Sequence, residues 1–163
     1  TEFSGSQDSI GIVFPGLNRL DYKANYWPEK ITSVHDEPLL HWIEQHLYLV
    51  TLGPRQPDFH VLQNTRISTA GAKSLAEAAD HCWHAIKRKD LDGFGYYFRR
   101  SFEAQVHMFP GMMNDDIWSV IQKYRRRALG WKLSGAGGGG YLILVSRRDI
   151  PGASRITIRR NGL

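Results

Sequence analysis

At 163 residues, 42% hydrophobic and 12% aromatic, the chain has enough apolar side chain to bury one core and too much to stay disordered, so a single globular domain over residues 1–163 is expected. Its longest run of large apolar residues, Tyr141 to Val145, falls far short of the roughly 20 needed to cross a bilayer as a helix, and its one cysteine, Cys82, rules out an internal disulfide. The cytoplasm is the expected compartment. A formal net charge of +5 suits anions of every size, from sugar phosphates and nucleotides to nucleic acid, without choosing among them.

Gly5-Ser6-Gln7-Asp8 precedes the apolar Ile10 to Phe14 segment and Pro15-Gly16, the pattern of a short capped helix and a turn. Leu20 and Tyr22 alternate with Arg19, Asp21 and Lys23, and Lys30 to Val34 is rich in β-branched residues, so two strands flank Trp27-Pro28. Asp36 to Gln45 holds a helical turn or two with Leu39, Leu40 and Ile43 inward, leading to a strand from Leu47 to Leu52 that Gly53-Pro54 stops. Arg55 to Thr69 has no sustained period and reads as a loop long enough to be functional.

Helical periodicity follows. Leu75, Ala79, Cys82 and Ile86 mark one amphipathic helix, and Leu91, Phe94, Phe98, Phe102, Val106 and Phe109 a second, broken at Pro110-Gly111. A third is capped by Asn114, with Asp115 and Asp116 at its positive end, Ile117, Ile121, Tyr124 and Ala128 as its stripe, and Arg125 to Arg127 in its last turn. Trp131 to Ser134 and Tyr141 to Ser146 then flank a glycine loop. Arg155 to Arg160, with Ile156 and Ile158 alternating, predicts a final edge strand with one wet face. Strands on both sides of a run of helices predict an α+β domain, a mostly antiparallel sheet with helices packed on one face.

The loop Gly135 to Gly140 places five glycines in six residues between apolar strands. Each glycine costs roughly 0.5 to 1 kcal/mol of backbone entropy in a regular element, so the cluster implies that something approaches the backbone closely. Successive peptide N–H groups in such a turn form an anion-binding concavity, which makes Ser134, Gly135, Ala136, Gly137, Gly138, Gly139 and Gly140 a candidate phosphate or substrate loop. A flexible linker is the blander reading, but Leu133 and Tyr141 to Val145 are not linker flanks. The Gly-x-x-x-x-Gly-Lys-Ser/Thr phosphate loop is excluded because Tyr141 and Leu142 follow the glycines, and a dinucleotide fingerprint because a strand follows where a helix is required.

Asp8 is the candidate carboxylate for receiving or orienting a hydroxyl proton, against the commonplace alternative of a helix-end aspartate. Together, Gly5-Ser6-Gln7-Asp8 with Phe14-Pro15-Gly16, and the Gly-Ala-Gly-Gly-Gly-Gly loop more than a hundred residues later, resemble two motifs of the GHMP kinases. These are the Gly-x-Gln-Asp segment of its sugar-1-kinase branches and the family's glycine-rich third motif. The resemblance implies the C-terminal part of an ATP-dependent sugar kinase acting on the anomeric hydroxyl of a fucose-like or heptose-like sugar. Asp8 is then its catalytic carboxylate and Gln7 a substrate contact. Residues 1–35 would be the edge shared with a missing N-terminal half. ATP and Mg2+ are implied as cofactors, yet the chain lacks the family's Pro-x-x-x-Gly-Leu-Gly-Ser-Ser-Ala type ATP loop and the expected magnesium ligands, so alone it is expected to be inactive. Ser9 also stands where a second glutamine is common in this family.

Other constellations carry less. His81 and His84 lie one helical turn apart without further zinc ligands in sequence, so no metal site is assigned. Lys87 to Lys89, Arg99-Arg100, Arg125 to Arg127 and Arg159-Arg160, with Tyr96, Tyr97 and Trp118, frame the alternative: a non-catalytic α+β module binding nucleic acid or another anion. Two of those clusters suit helix C-termini for a local reason. Cys82 sits on an apolar stripe and reads as core.

Overall fold

A computed structural model describes residues 5–55, 59–60 and 62–161. The chain divides into two compact units, Thr1–Glu44 with Thr157–Leu163, and Gln45–Ile156, each taken by itself below.

In the first unit, helix α1 (Ser6–Val13) precedes a hairpin of β1 (Leu17–Asp21) and β2 (Lys30–Val34), paired antiparallel from Leu17 opposite Val34 to Asp21 opposite Lys30. The strand expected over Lys30 to Val34 is present, whereas the alternation from Arg19 to Lys23 falls partly outside β1, which starts at Leu17 and ends at Asp21. Asp36 caps the next helix, α2 (Glu37–His46), by accepting the Leu39 N–H at 3.0 Å, and Leu39, Leu40 and Ile43 are buried as their spacing predicts.

The second unit is built on a four-stranded sheet in the order β4-β5-β3-β6: β3 (Leu47–Thr51), β4 (Gly130–Leu133), β5 (Tyr141–Val145) and β6 (Ser154–Arg155). Each pairing is antiparallel. Register sets Tyr48 opposite Leu144, Val50 opposite Leu142 and Leu133 opposite Leu142, which puts these side chains on one face. They form one core cluster with Ile117, Ile121 and Tyr124 of α5 (Asp115–Tyr124), together with Phe102 and Met112. Helix α3 (Thr69–Lys87) packs along α4 (Leu91–Met108), and α4 in turn packs on β4. All three helices have side-chain caps: Ser68 accepts from Gly71 N at 3.0 Å, Asp90 from Gly93 N at 2.9 Å, and Asn114 from Ile117 N at 2.8 Å. The architecture is α+β, as the alternation of strands and helices implies.

The final strand differs from expectation. Only Ser154–Arg155 join the ladder, and the Ile156 N–H still reaches Leu47 O at 3.1 Å. The Ile158 N–H donates at 2.6 Å to the Glu44 carboxylate instead of to a strand, so the alternation of Ile156 and Ile158 does not continue as sheet. A carboxylate is a stronger acceptor for a peptide N–H than a neutral carbonyl, and it ends the ladder here.

Candidate functional site

The glycine loop closes the β4–β5 hairpin, with the Ser134 N–H donating to Tyr141 O at 2.9 Å. Gly135, Gly137, Gly138 and Gly140 all have positive φ, between 70° and 85°. The close approach that the glycine cluster implies is present, and its target is the protein itself. A Cβ on Gly138 would fall 2.0 Å from Cε2 of Phe59, and one on Gly137 would fall 2.7 Å from Met112 O. Two loop N–H groups are also spent internally, Gly138 N on Met112 O at 2.9 Å and Gly140 N on Gly53 O at 3.2 Å. Gly137 to Gly139 are buried, whereas Ser134 and Gly135 are exposed and Ala136 is half-buried. The N–H groups of Gly135 and Ala136 have no hydrogen-bond partner among the described residues. The loop thus has a buried base that holds its shape and an outer rim, Ser134 to Ala136, with free donors.

Arg55 joins that rim. Its Nε donates to Gly137 O at 3.0 Å, its guanidinium lies 5.6 Å from the Phe59 ring centroid, and its Nη2 is 3.9 Å from where a Gly135 Cβ would stand. A fixed cation beside two unpartnered peptide donors matches the donor set a phosphate oxygen takes. In the sequence Arg55 is only the first residue of an aperiodic loop; the Gly53-Pro54 turn before it was the one local signal that the chain bends there.

Asp8 and Gln7 lie in the other unit. Gly5 is the N-cap of α1, which places Asp8 in the first turn, exposed, where the helix end favours negative charge; its N–H donates to Gly5 O at 3.2 Å. Gln7 is likewise exposed. Between Gly5 and Gln7, Ser6 is 3% exposed, its hydroxyl donating to Tyr26 O at 2.5 Å and lying 3.0 Å from the Tyr22 hydroxyl. Sequence reasoning passed over Ser6, since a serine at a helix start reads as a solvated cap.

The remaining candidates have ordinary surroundings. His81 stacks on Tyr97 with centroids 4.8 Å apart, and His84 lies 3.7 Å from Asp80. Among the described residues no three His, Cys, Asp or Glu side chains are gathered to hold a metal. Arg99 sits over the Trp131 ring, Arg100 pairs with Glu103, and Arg160 bridges Glu37 and Glu44, so much of the basic sequence is engaged within the chain. Cys82 is buried, and burial pushes its thiol up to about 12, away from nucleophilic use. Next to it, burial lowers the Lys132 ammonium to about 8, and Lys132 donates to Gln105 Oε1 at 2.7 Å. A groove of about 340 Å³ lies between α3 and α4 around Ser74, Arg100 and His107, and includes none of the candidate residues. Among the described residues no helix is long and apolar enough to cross a membrane.

No protein-family model matches this chain. In fold the chain aligns with a protein assigned as a sugar kinase from Campylobacter jejuni at a TM-score of 0.56 and 16% identity, over 98% of this chain and 48% of that one. A mevalonate kinase aligns at a TM-score of 0.40 and 19% identity, over 74% of this chain and 38% of that one. In sequence, the chain is 27% identical over 177 aligned residues to the L-fucokinase/L-fucose-1-P guanylyltransferase of Bacteroides fragilis, covering 96% of this chain and 17% of that protein. The chain thus resembles part of a fucokinase/guanylyltransferase in sequence and part of a sugar kinase in fold, and spans about a sixth of the curated relative it matches.

Proposed function

We propose that this chain is the C-terminal part of an ATP-dependent GHMP-type sugar kinase that phosphorylates the anomeric hydroxyl of a fucose-like sugar. The observation that carries the reading is similarity, over 96% of this chain, to a part of a protein that combines fucokinase with a guanylyltransferase. The sugar-kinase fold favours the kinase half of that pair. A heptose-like acceptor has no comparable support.

In this reading Asp8 accepts the proton of the sugar hydroxyl or holds it in line for attack, and Gln7 hydrogen-bonds a neighbouring hydroxyl. The N–H groups of Gly135 and Ala136 and the Arg55 guanidinium supply donors for phosphate oxygens. Phosphoryl transfer asks mainly for positioning and electrostatic stabilisation, and fixed donors provide both without reorganising. ATP supplies the phosphoryl group when bound. Its main phosphate cradle and the magnesium ligands are assigned to polypeptide outside these residues, with residues 1–35 forming the edge that meets it.

The test is ATP-dependent phosphorylation of L-fucose, D-galactose, D-mannose and heptose phosphates by the complete polypeptide and by residues 1–163 alone. Turnover of L-fucose by the first and none by the second is expected. Because a displacement of about 1 Å costs on the order of 10²-fold, residues 1–163 without the main phosphate cradle do not fix both reactants. Robust turnover by residues 1–163 would overturn the architecture, and inactivity of the complete polypeptide on all these sugars would overturn the kinase reading.

A further inference from the structure

The β1–β2 loop, Tyr22 to Glu29, presents two large aromatic residues to solvent, Tyr26 at 59% exposure and Trp27 at 57%. Their rings meet edge to face with centroids 5.2 Å apart. Exposure of this kind usually marks a mobile tip, but several contacts hold this one. Glu29 N donates to Asp21 O at 2.8 Å across its base, and Lys23 pairs with Glu29 at 3.0 Å. Ala24 is held at φ 52°, a conformation that a non-glycine residue adopts only when its surroundings impose it. Pro28 restricts the backbone of Trp27.

The decisive contact is Ser6. Its buried hydroxyl binds the Tyr26 carbonyl and lies within hydrogen-bond distance of the Tyr22 hydroxyl, so the aromatic tip is fastened to the first turn of α1. Asp8 is two residues further along that same turn. A buried hydroxyl committed to the main chain of an otherwise exposed loop fixes where Tyr26 and Trp27 stand relative to the carboxylate.

We propose that Tyr26 and Trp27 form the aromatic wall on which the acceptor sugar stacks, making them specificity-determining residues for a pyranose whose hydroxyl Asp8 engages. The inference rests on the kinase reading above. An aromatic face carries partial negative charge and attracts the positively polarised C–H face of a pyranose; with the two rings perpendicular, the flat Trp27 ring stacks on the sugar at little entropic cost and Tyr26 flanks it. Ser6 acts through Tyr26 and is a positioning residue.

Trp27→Ala and Trp27→Phe in the complete polypeptide test this, with steady-state kinetics in L-fucose and in ATP and with 5-fluorotryptophan NMR, the Trp27 resonance being assigned by its loss in Trp27→Phe. The proposal expects Trp27→Ala to raise KM for L-fucose about 10-fold or more, with KM for ATP unchanged, and Trp27→Phe to recover most of the loss. A sugar KM within about twofold of wild type overturns the wall while leaving the kinase reading intact. If wild type phosphorylates none of the sugars, the kinase reading fails and NMR decides the wall: a saturable shift of the Trp27 resonance with L-fucose, D-galactose or D-mannose supports it, and no shift overturns it. Loss of cooperative unfolding in Trp27→Ala with sugar binding by wild type absent at this resonance assigns the rings to packing and also overturns it.

Discussion

The backbone of Gly138 lies so close to the ring of Phe59 that a Cβ there would stand 2.0 Å from Cε2, at a φ of +72°. Gly140 shares the positive φ, at +85°, but a Cβ there meets nothing within 4 Å. Gly138→Ala is therefore expected to destabilise more than Gly140→Ala, which should cost only the left-handed backbone penalty of about 1 to 2 kcal/mol. Urea unfolding of both variants measures the difference. Adding Phe59→Ala to Gly138→Ala should recover part of the loss, and strict additivity in that cycle would show that the ring does not constrain the loop.

Gly135 separates shape from chemistry. It is exposed, and a Cβ would approach only Arg55 Nη2, at 3.9 Å. Gly135→Ala should unfold within about 1 to 2 kcal/mol of wild type, the cost of its positive φ. Sugar phosphorylation should fall much further than stability does, because the side chain crowds the rim donors. Equal activity would leave the loop a purely structural closure.

Asp8→Asn keeps shape and hydrogen-bonding capacity while removing the proton acceptor. In the complete polypeptide kcat is expected to drop roughly 10²- to 10⁴-fold, with KM for sugar changed far less. Because Asp8 is exposed on α1, its thermal unfolding should barely move. Near-normal turnover would reduce Asp8 to a favourable charge at a helix start.

Arg160 ties the C-terminal segment to α2, donating to Glu37 at 2.7 Å and to Glu44 at 2.6 Å. Hydrogen bonds from Arg160 hold both carboxyls below their ordinary value of 4.5, against a smaller opposing effect of burial. A carboxyl lowered in the folded state releases its proton more readily there than in the unfolded chain. The resulting stability is present above about pH 4.5 and is lost as pH falls through the folded values. Arg160→Met should erase that pH dependence. Glu44 is 17% exposed and also accepts the Ile158 N–H, whereas Glu37 is 65% exposed, so Glu44→Gln should cost more than Glu37→Gln. Unfolding curves from pH 7 to pH 3 that run parallel for Arg160→Met and wild type would refute the linkage.

Lys132 and Cys82 act in opposite senses on the alkaline side. Burial lowers Lys132 to about 8, so the folded state deprotonates first and stability rises between about pH 8 and 10.5. Burial raises Cys82 to about 12, so from about pH 9 upward its titration in the unfolded chain erodes stability. In a Cys82→Ala background the alkaline rise should therefore stand out, and Lys132→Met should remove it. A flat profile in Cys82→Ala would mean that the Lys132 ammonium is effectively solvated.

Helices α3, α4 and α5, the strands β2, β3 and β5, and the strand-loop-strand setting of the glycines were legible because each depends on neighbours within a few positions: apolar spacing, a cap three residues away, a glycine or proline stop. The resemblance of Gly5 to Asp8 and Gly135 to Gly140 to kinase motifs was legible for the same reason. Tertiary structure alone decided which glycines are shaped by Phe59 and Met112, because those contacts join segments far apart in the chain. The same holds for Arg55, which reaches Gly137 across 82 positions, and for Ser6, which reaches Tyr26 across 20. The end of the last strand also turned on a distant group, the Glu44 carboxylate that takes the Ile158 N–H. Local periodicity encodes which face a residue presents, whereas the partner on that face depends on how the elements pack, and no spacing within either segment contains it.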